Sequence, residues 1–170
     1  PDTRAASVAW VKDETGFFYS RYPPGENYDR RIYFHSIGGD AGQDRKLFGD
    51  GLDRTDWVDV SISHDDRHVF FSVSKGWSRT ELDLHDRQTG KTVKLVGAEL
   101  GALFSVGEMV GGKVYALTNH QAPRFKLVAI DPGNPEPGRW KTVIPEGEWP
   151  VESVLFTGGH ILLGRTVKAV

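Results

Sequence analysis

The feature that most constrains the fold is a short apolar segment that recurs four times along the chain. Corresponding residues lie 52 positions apart from Phe17 to Val69, 45 apart from Val69 to Val114, and 47 apart from Val114 to Ile161. Further runs rich in Val, Ile, Leu, Phe and Tyr surround these segments, and Gly, Pro, Asp or Asn lie between the runs, which is typical of strands and turns. A repeat of this length with four strands per unit predicts consecutive blades of a β-propeller.

The predicted strands divide into units that each form one blade. The predicted blades occupy approximately residues 5–51, 55–98 and 101–147, and a half-blade of two strands occupies residues 150–170. The predicted fold class is therefore all-β, with about three and a half four-stranded blades. Because propellers usually close with four to eight blades, we expect this chain to be a segment of a larger propeller.

A helical alternative has little support in the sequence. The best candidate, residues 97–106, contains two glycines and lacks a capping pattern. Its C-terminal part is assigned instead to the first strand of the third unit, residues 102–109. By contrast, residues 69–71 and 161–163 are apolar on both faces, as expected for strands that lie between neighbouring blades.

Composition argues against several classes of function. The chain has 21 Lys and Arg residues against 23 Asp and Glu residues, so it has no excess of positive charge for binding nucleic acid. It has no cysteine, hence no disulfide or thiolate metal site, and its apolar runs are far too short to span a membrane. We expect a soluble protein, cytoplasmic or periplasmic. The chain begins at Pro1 rather than Met, so we expect its natural start to lie upstream.

No catalytic residue, metal site or cofactor is predicted within the chain. The nucleophile-elbow motif Gly-x-Ser-x-Gly is absent, because Leu103 occupies the position of the first glycine before Ser105. The histidines and aspartates of residues 64–68 lie in a predicted turn that would splay their side chains apart. Residues 38–44 lack the acidic alternation and the closing Glu of an EF-hand calcium loop. Both segments are therefore interpreted as solvated connections.

Several short motifs in a fixed order are more specific than the composition. A Trp-x-x-Asp turn at residues 10–13 leads into Gly-Phe-Phe-Tyr, and residues 33–38 read Tyr-Phe-His-Ser-Ile-Gly. Residues 63–67 read Ser-His-Asp-Asp-Arg, and residues 140–146 read Trp-Lys-Thr-Val-Ile-Pro-Glu. Over nearly the whole chain these motifs resemble the propeller of the prolyl oligopeptidase (prolyl endopeptidase) family. The sequence departs from the family pattern at Ile37, where the family has Leu, and at Asp66, where it has Gly.

The resemblance implies a role outside the catalytic centre. Prolyl oligopeptidases are serine peptidases that cleave short peptides after proline. Their α/β-hydrolase domain holds the Ser, Asp and His, and a seven-bladed propeller covers that site and excludes large folded substrates. The resemblance therefore implies a non-catalytic propeller segment that screens access of peptides to the site. Its partners would be the hydrolase domain of the same protein and proline-containing peptides.

The resemblance also implies which propeller residues help to line the substrate site. In the family, an arginine stands at the end of the second strand of one blade, and the corresponding position here is Ser74. The neighbouring Lys75 could supply a positive charge, but its ammonium lacks the planar hydrogen-bonding geometry of a guanidinium. Trp77 would offer a flat apolar wall to a proline ring or its neighbour. Trp57 or Val58 would line the same pocket, since the alignment is ambiguous by one residue. The alternatives are that Lys75 and Trp77 are loop residues without a ligand, and that Trp57 packs within its blade.

Two other functions stay open at this point. The chain could be an autonomous β-propeller module that presents loops to a protein partner. A polysaccharide- or metal-handling propeller enzyme is disfavoured, because no clear carboxylate–histidine constellation is present. Whatever the function, an unclosed stack of blades would expose apolar faces and unpaired strand edges at both ends, so we expect the isolated chain to self-associate or to stay bound to a complementary piece.

Overall fold

The structure of the chain, a computed structural model, describes residues 3–167. These residues form 14 strands and three short 3₁₀ helices, and no α-helix occurs among them. Every strand of the sequence prediction has a counterpart. The predicted half-blade extends to residue 170, but residues 168–170 lie outside the described part of the chain.

The strands form three four-stranded sheets and one two-stranded sheet, each ordered as in the sequence. The first sheet contains β1 (Val8–Trp10), β2 (Gly16–Arg21), β3 (Arg31–Ser36) and β4 (Arg45–Phe48). The second contains β5 (Trp57–Ile62), β6 (His68–Ser74), β7 (Thr80–Asp86) and β8 (Thr92–Val96). The third contains β9 (Phe104–Val110), β10 (Lys113–Thr118), β11 (Lys126–Ile130) and β12 (Lys141–Ile144). The last contains β13 (Val151–Thr157) and β14 (His160–Arg165).

Each sheet is an up-and-down meander, because every pair of neighbouring strands is antiparallel. This is the topology of propeller blades. The predicted all-β fold of about three and a half blades is therefore confirmed. The sheets are called blades 1 to 4 in chain order, blade 4 being the two-stranded one.

The first strand of blade 3 begins two residues later than predicted. The sequence pattern predicts a strand over residues 102–109, whereas β9 starts at Phe104. The backbone groups just before it bond elsewhere: the carbonyl oxygen of Ala102 accepts from Thr80 N in blade 2 at 3.0 Å, and Leu103 N donates to Asn119 Oδ1 at 2.7 Å. A contact between blades and a side-chain cap thus replace the ladder bonds that would have extended the strand.

The hydrophobic core lies between blades. One cluster of buried side chains joins blades 1 and 2, and a second joins blades 2 and 3. Strand β6 contributes to both, since Phe71 packs toward blade 1 and its neighbour Phe70 packs toward blade 3. Phe71 also stacks on Phe48 of blade 1, with ring centroids 4.4 Å apart and planes inclined by 18°. The continuous apolar run in β6 is therefore explained by burial on both faces.

One edge of the stack carries the connections between blades. Successive strands of a blade run in opposite directions. The connection that leaves the fourth strand therefore lies at the same edge as the loop between the second and third strands. We call it the upper edge. Backbone hydrogen bonds join neighbouring blades there: Asp29 N donates to Arg54 O at 2.8 Å, and Val151 N donates to Arg124 O at 3.0 Å. The upper edge is thus a set of loops held in register by the packing of the blades.

Replacing Phe71 with alanine should destabilise the chain by about 3–5 kcal/mol, because the substitution empties a fully buried site and removes the stack with Phe48. Val93→Ala is the control, since Val93 is 39% exposed and its loss should cost about 0.5 kcal/mol or less. Urea unfolding followed by tryptophan fluorescence measures both. Equal midpoints for the two variants would show that the core between blades 1 and 2 does not dominate stability.

Candidate functional site

Four of the five residues predicted to line a substrate site lie together at the upper edge of blade 2. Trp57 begins β5 and pairs across the sheet with Ser74, the last residue of β6. Lys75 and Trp77 follow in the loop to β7, which is closed by a hydrogen bond from Lys75 N to Arg79 O at 2.9 Å. The hairpin connections of a single blade therefore bring these residues to one place.

Trp57 and Val58 were the two alternatives for one position of the predicted pocket, and of these only Trp57 is exposed to solvent. Trp57 is 42% exposed, whereas Val58 is fully buried in the cluster between blades 1 and 2. The difference follows from strand geometry, because successive side chains point to opposite faces. Val58 has no surface with which to touch a ligand in this arrangement, and its side chain instead anchors the strand that carries Trp57.

Arg30 lies against Trp57, and sequence reasoning missed it. Its guanidinium carbon is 4.1 Å from the centroid of the indole ring, a cation–π arrangement, and its Nη2 donates to Asp59 Oδ1 at 2.8 Å. The side chain is only 2% exposed, and its Nε and Nη1 have no hydrogen-bond acceptor among the described residues. A run of charged residues at 29–31 suggests a solvated loop. The burial of Arg30 could have been predicted from strand alternation, because Arg30 lies two positions before the buried Ile32 and so shares its face.

Lys75 forms ion pairs within the chain. Its Nζ lies 2.6 Å from Asp56 Oδ2 and 3.6 Å from Glu81 Oε1. Burial lowers the pKa of Lys75, but the hydrogen bond from its ammonium to Asp56 and the charge of Glu81 outweigh burial, so its pKa is raised overall. Lys75 therefore stays charged and ties its loop to the connection that enters blade 2.

Trp77 is the most exposed large apolar side chain at this edge. It is 99% exposed, and Gly76 before it adopts a left-handed φ of 68°, which suits glycine because it has no Cβ. The loop therefore presents the indole ring to solvent with both faces free. A fully exposed tryptophan contributes little to the core, and its surface is available to a ligand or another protein.

The two clusters that superficially suggested metals are used for local structure. In the turn after β5, Asp65 accepts from Arg67 N at 2.9 Å and contacts His68 Nδ1 at 3.0 Å. In the loop after β3, Asp40 accepts from Gly42 N at 2.8 Å and so caps the 3₁₀ helix Ala41–Gln43. Among residues 3–167 no three histidine or acidic side chains converge as metal ligands would.

Asp44, at the end of that loop, binds two side chains of blade 1. It accepts from Tyr19 Oη at 2.6 Å and lies 2.8 Å from His35 Nδ1. Burial and the hydrogen bond to Asp44 raise the pKa of Tyr19 to about 12, so the phenol remains protonated and holds the loop to the blade.

Ser105 lies within β9 rather than at a strand-to-helix turn, so it lacks the geometry of a nucleophile elbow. The helices described within residues 3–167 are three residues long, far below the length of a membrane-spanning helix.

Replacing Lys75 with methionine should destabilise the chain by about 1–3 kcal/mol, because the Asp56 carboxylate, only 6% exposed, would lose its charged partner. Lys91→Met is the matched control, since Lys91 is exposed and has no ion-pair partner within residues 3–167. Chemical unfolding of both variants gives the difference. If the two midpoints agreed, the ion pair of Lys75 would have no structural role, and a ligand-binding role would be the better explanation for this lysine.

Comparison with known proteins finds relatives along the whole chain. A family model described as the N-terminal β-propeller domain of prolyl oligopeptidase matches residues 1–169. A prolyl oligopeptidase of Omphalotus olearius is 30% identical over 146 residues, covering 77% of this chain and 20% of the relative. A prolyl endopeptidase of Elizabethkingia meningoseptica is 26% identical over 175 residues, covering 98% of this chain and 24% of the relative.

Solved structures match the fold. A prolyl endopeptidase structure, from work on inter-domain dynamics in catalysis and specificity, has a TM-score of 0.85 and 26% identity, covering 96% of this chain and 25% of the solved chain. Prolyl oligopeptidase B from Galerina marginata, bound to a 25mer macrocyclization substrate, has a TM-score of 0.77 and 23% identity. This match covers 87% of this chain and 22% of the solved chain. The chain thus spans about a quarter or less of the length of these relatives.

Proposed function

The chain belongs to the family of prolyl oligopeptidase N-terminal β-propeller domains, and from this premise we propose that it is a non-catalytic propeller segment of a prolyl oligopeptidase-like serine peptidase. In this proposal the nucleophile lies on an α/β-hydrolase domain of the same protein, and the substrates are short peptides cleaved after proline. The observation that carries the proposal is the match of the propeller family model to residues 1–169.

The proposed mechanism of the segment is steric exclusion. Blades 1 to 3 pack through fully buried side chains and are joined by backbone hydrogen bonds at the upper edge. Such close packing resists deformation, because core side chains interlock at crystal-like density. A stiff ring of blades over the catalytic domain would admit short, unfolded peptides and turn away folded proteins.

The upper-edge residues would then act as walls of the peptide site. Trp77 and Trp57 offer exposed indole surface, and aromatic rings suit the flat, apolar ring of proline. Ser74, paired with Trp57, would supply a hydroxyl. Lys75 would hold the loop that carries Trp77, because its ammonium is already bound to Asp56. Val58 would act only by fixing the strand beneath Trp57.

The full-length protein should cleave a short proline-containing peptide and leave the same sequence uncut inside a folded domain. Trp77→Ala should raise KM for the short peptide three- to tenfold, since it removes one aromatic wall worth roughly 0.5–1.5 kcal/mol. Val110→Ala is the control, because Val110 is 44% exposed and ends β9 at the opposite edge. Steady-state kinetics on both variants provides the measurement.

Three results of that experiment would count against the proposal. Comparable cleavage of the free and the folded sequence would exclude steric filtering. An unchanged KM in the Trp77→Ala variant would remove this residue from the peptide site. Absence of any peptidase activity, together with specific capture of a protein partner, would favour the alternative of an interaction module.

We also propose that the outer faces of the described stack are contact surfaces. Val8 and Trp10 on blade 1 are 50% and 54% exposed, and Leu155 and Leu162, which pair across blade 4, are 60% and 52% exposed. These side chains lie on the faces directed away from blades 2 and 3. In a longer propeller, further blades would cover them, whereas copies of the isolated 170-residue chain would cover one another.

The isolated chain should therefore sediment as an oligomer, because association removes these apolar side chains from water. Replacing Leu155 and Leu162 with glutamate should shift it toward the monomer, while the same substitution at the exposed Thr89 and Gln88 of a polar turn should not. Analytical ultracentrifugation over a range of concentrations measures the change. A stable monomer of the unaltered chain at all concentrations would contradict self-association.

A further inference from the structure

Arg30 is a buried cation whose hydrogen-bonding capacity is largely unused. Its side chain is 2% exposed, and its Nη2 donates to Asp59 Oδ1 at 2.8 Å. The Nε and Nη1 groups are also buried, and they have no acceptor among residues 3–167. A guanidinium carries five N–H donors, and a buried donor without a partner is unfavourable. The stability of the fold alone therefore does not explain an arginine at this position.

The guanidinium of Arg30 lies over one face of the Trp57 ring. Its central carbon is 4.1 Å from the ring centroid, which is the distance of direct contact between a cation and an aromatic face. Trp57 is 42% exposed, whereas the side chain of Arg30 is almost completely buried, so solvent reaches the indole but not the cation beneath it. Contact with Arg30 thus occupies one face of the ring and leaves the exposed part of the indole open to a ligand.

The backbone around Arg30 is fixed to the connection between blades 1 and 2. Asp29 N donates to Arg54 O at 2.8 Å. The guanidinium of Arg31 donates to the carbonyl oxygens of Arg30 and Leu52, at 2.9 and 3.4 Å. That connection leads directly into β5. Arg30 is therefore a fixed support, because the chain on either side of it is bonded to the segment that precedes the indole.

Asp59 fixes the guanidinium relative to the ring. It lies on β5 two positions after Trp57, so the two side chains share one face of the strand. An arginine that contacts the ring of Trp57 and donates to Asp59 links these two side chains along the strand. A planar guanidinium can stack on a ring and donate in its own plane at the same time, which the compact ammonium of lysine cannot do.

We propose that Arg30 is a positioning residue that holds the Trp57 indole as a preformed wall for an apolar side chain of the peptide. The inference rests on the proposed function, in which Trp57 is one wall of the peptide site. Ordering a mobile side chain on binding lowers affinity, and a ring that is already ordered avoids this cost. Trp77 is the contrast, because it is 99% exposed and must be ordered by the ligand itself.

The direct test is the mobility of the two indoles in the 170-residue chain, measured by NMR relaxation of their ring N–H groups. In the unaltered chain, the Trp57 indole should have a higher order parameter than the Trp77 indole. Arg30→Met should lower the order parameter of Trp57 and leave that of Trp77 unchanged. An unchanged order parameter of Trp57 in the folded variant would overturn the inference.

Arg30→Lys is the second variant, and it keeps the test decisive if Arg30→Met does not fold. It retains a positive charge for Asp59 but lacks the planar group that covers the indole. The order parameter of Trp57 should therefore fall in this variant as well. A folded Arg30→Lys chain in which Trp57 is as rigid as in the unaltered chain would contradict positioning by the guanidinium.

Kinetics of the full-length protein distinguish positioning from general support of the fold. Arg30→Met should raise KM for a short proline peptide about two- to tenfold, the cost of ordering one side chain on binding, and should leave kcat unchanged. In a Trp57→Ala background the same substitution should raise KM no further, because Arg30 acts through the indole. Val60→Ala is the control: it removes buried methyl groups from the opposite face of β5, and it should lower the unfolding midpoint without changing KM.

Two kinetic results would reduce Arg30 to a structural residue. One is the same rise in KM with and without the Trp57 ring, and the other is an equal rise in the Val60→Ala control. Failure of the proposed function is recognised separately, as no cleavage of proline peptides by the unaltered full-length protein. The order parameters would then still decide whether Arg30 fixes the indole. Cleavage with a KM that Arg30→Met does not change would refute the inference alone.

Discussion

Burial of each blade face against the next blade is the constraint on which this structure depends. A four-stranded sheet with apolar residues on both faces must cover both of them, and in blade 2 this is achieved by packing Phe71 toward blade 1 and Phe70 toward blade 3. The same packing sets the relative height of the blades. It therefore decides which loops meet at the upper edge.

The charged groups at the upper edge follow from this packing. Arg30 is buried between Trp57 and Asp59, and Lys75 is bound by Asp56 and Glu81, so both cations are neutralised by groups of the chain itself. In each case one member, Arg30 or Asp56, is almost fully buried, and removal of its partner would leave that charge uncompensated, which is unfavourable. These pairs stiffen the edge. The exposed indoles of Trp57 and Trp77 remain as the apolar groups that can contact a ligand.

Sequence reasoning located part of the candidate site because that part is local. Trp57, Ser74, Lys75 and Trp77 are brought together by pairing of neighbouring strands and by one short loop, which the strand pattern of blade 2 predicts. Arg30 escaped prediction because it reaches this place from the preceding blade, 29 residues before its partner Asp59. The two alternatives Trp57 and Val58 lie on opposite faces of β5, and of the two only Trp57 is exposed.

The amino-acid sequence alone determined the all-β class, the four units and the order of strands within them, because a repeat near 47 residues and the alternation of apolar runs with turns are properties of neighbouring positions. Only the tertiary structure decided that Arg30 is buried beneath the indole ring of Trp57 and that its guanidinium is paired with Asp59. Those arrangements depend on how adjacent blades pack. Contacts between blades join residues far apart in sequence, and no local pattern specifies which side chains they bring together.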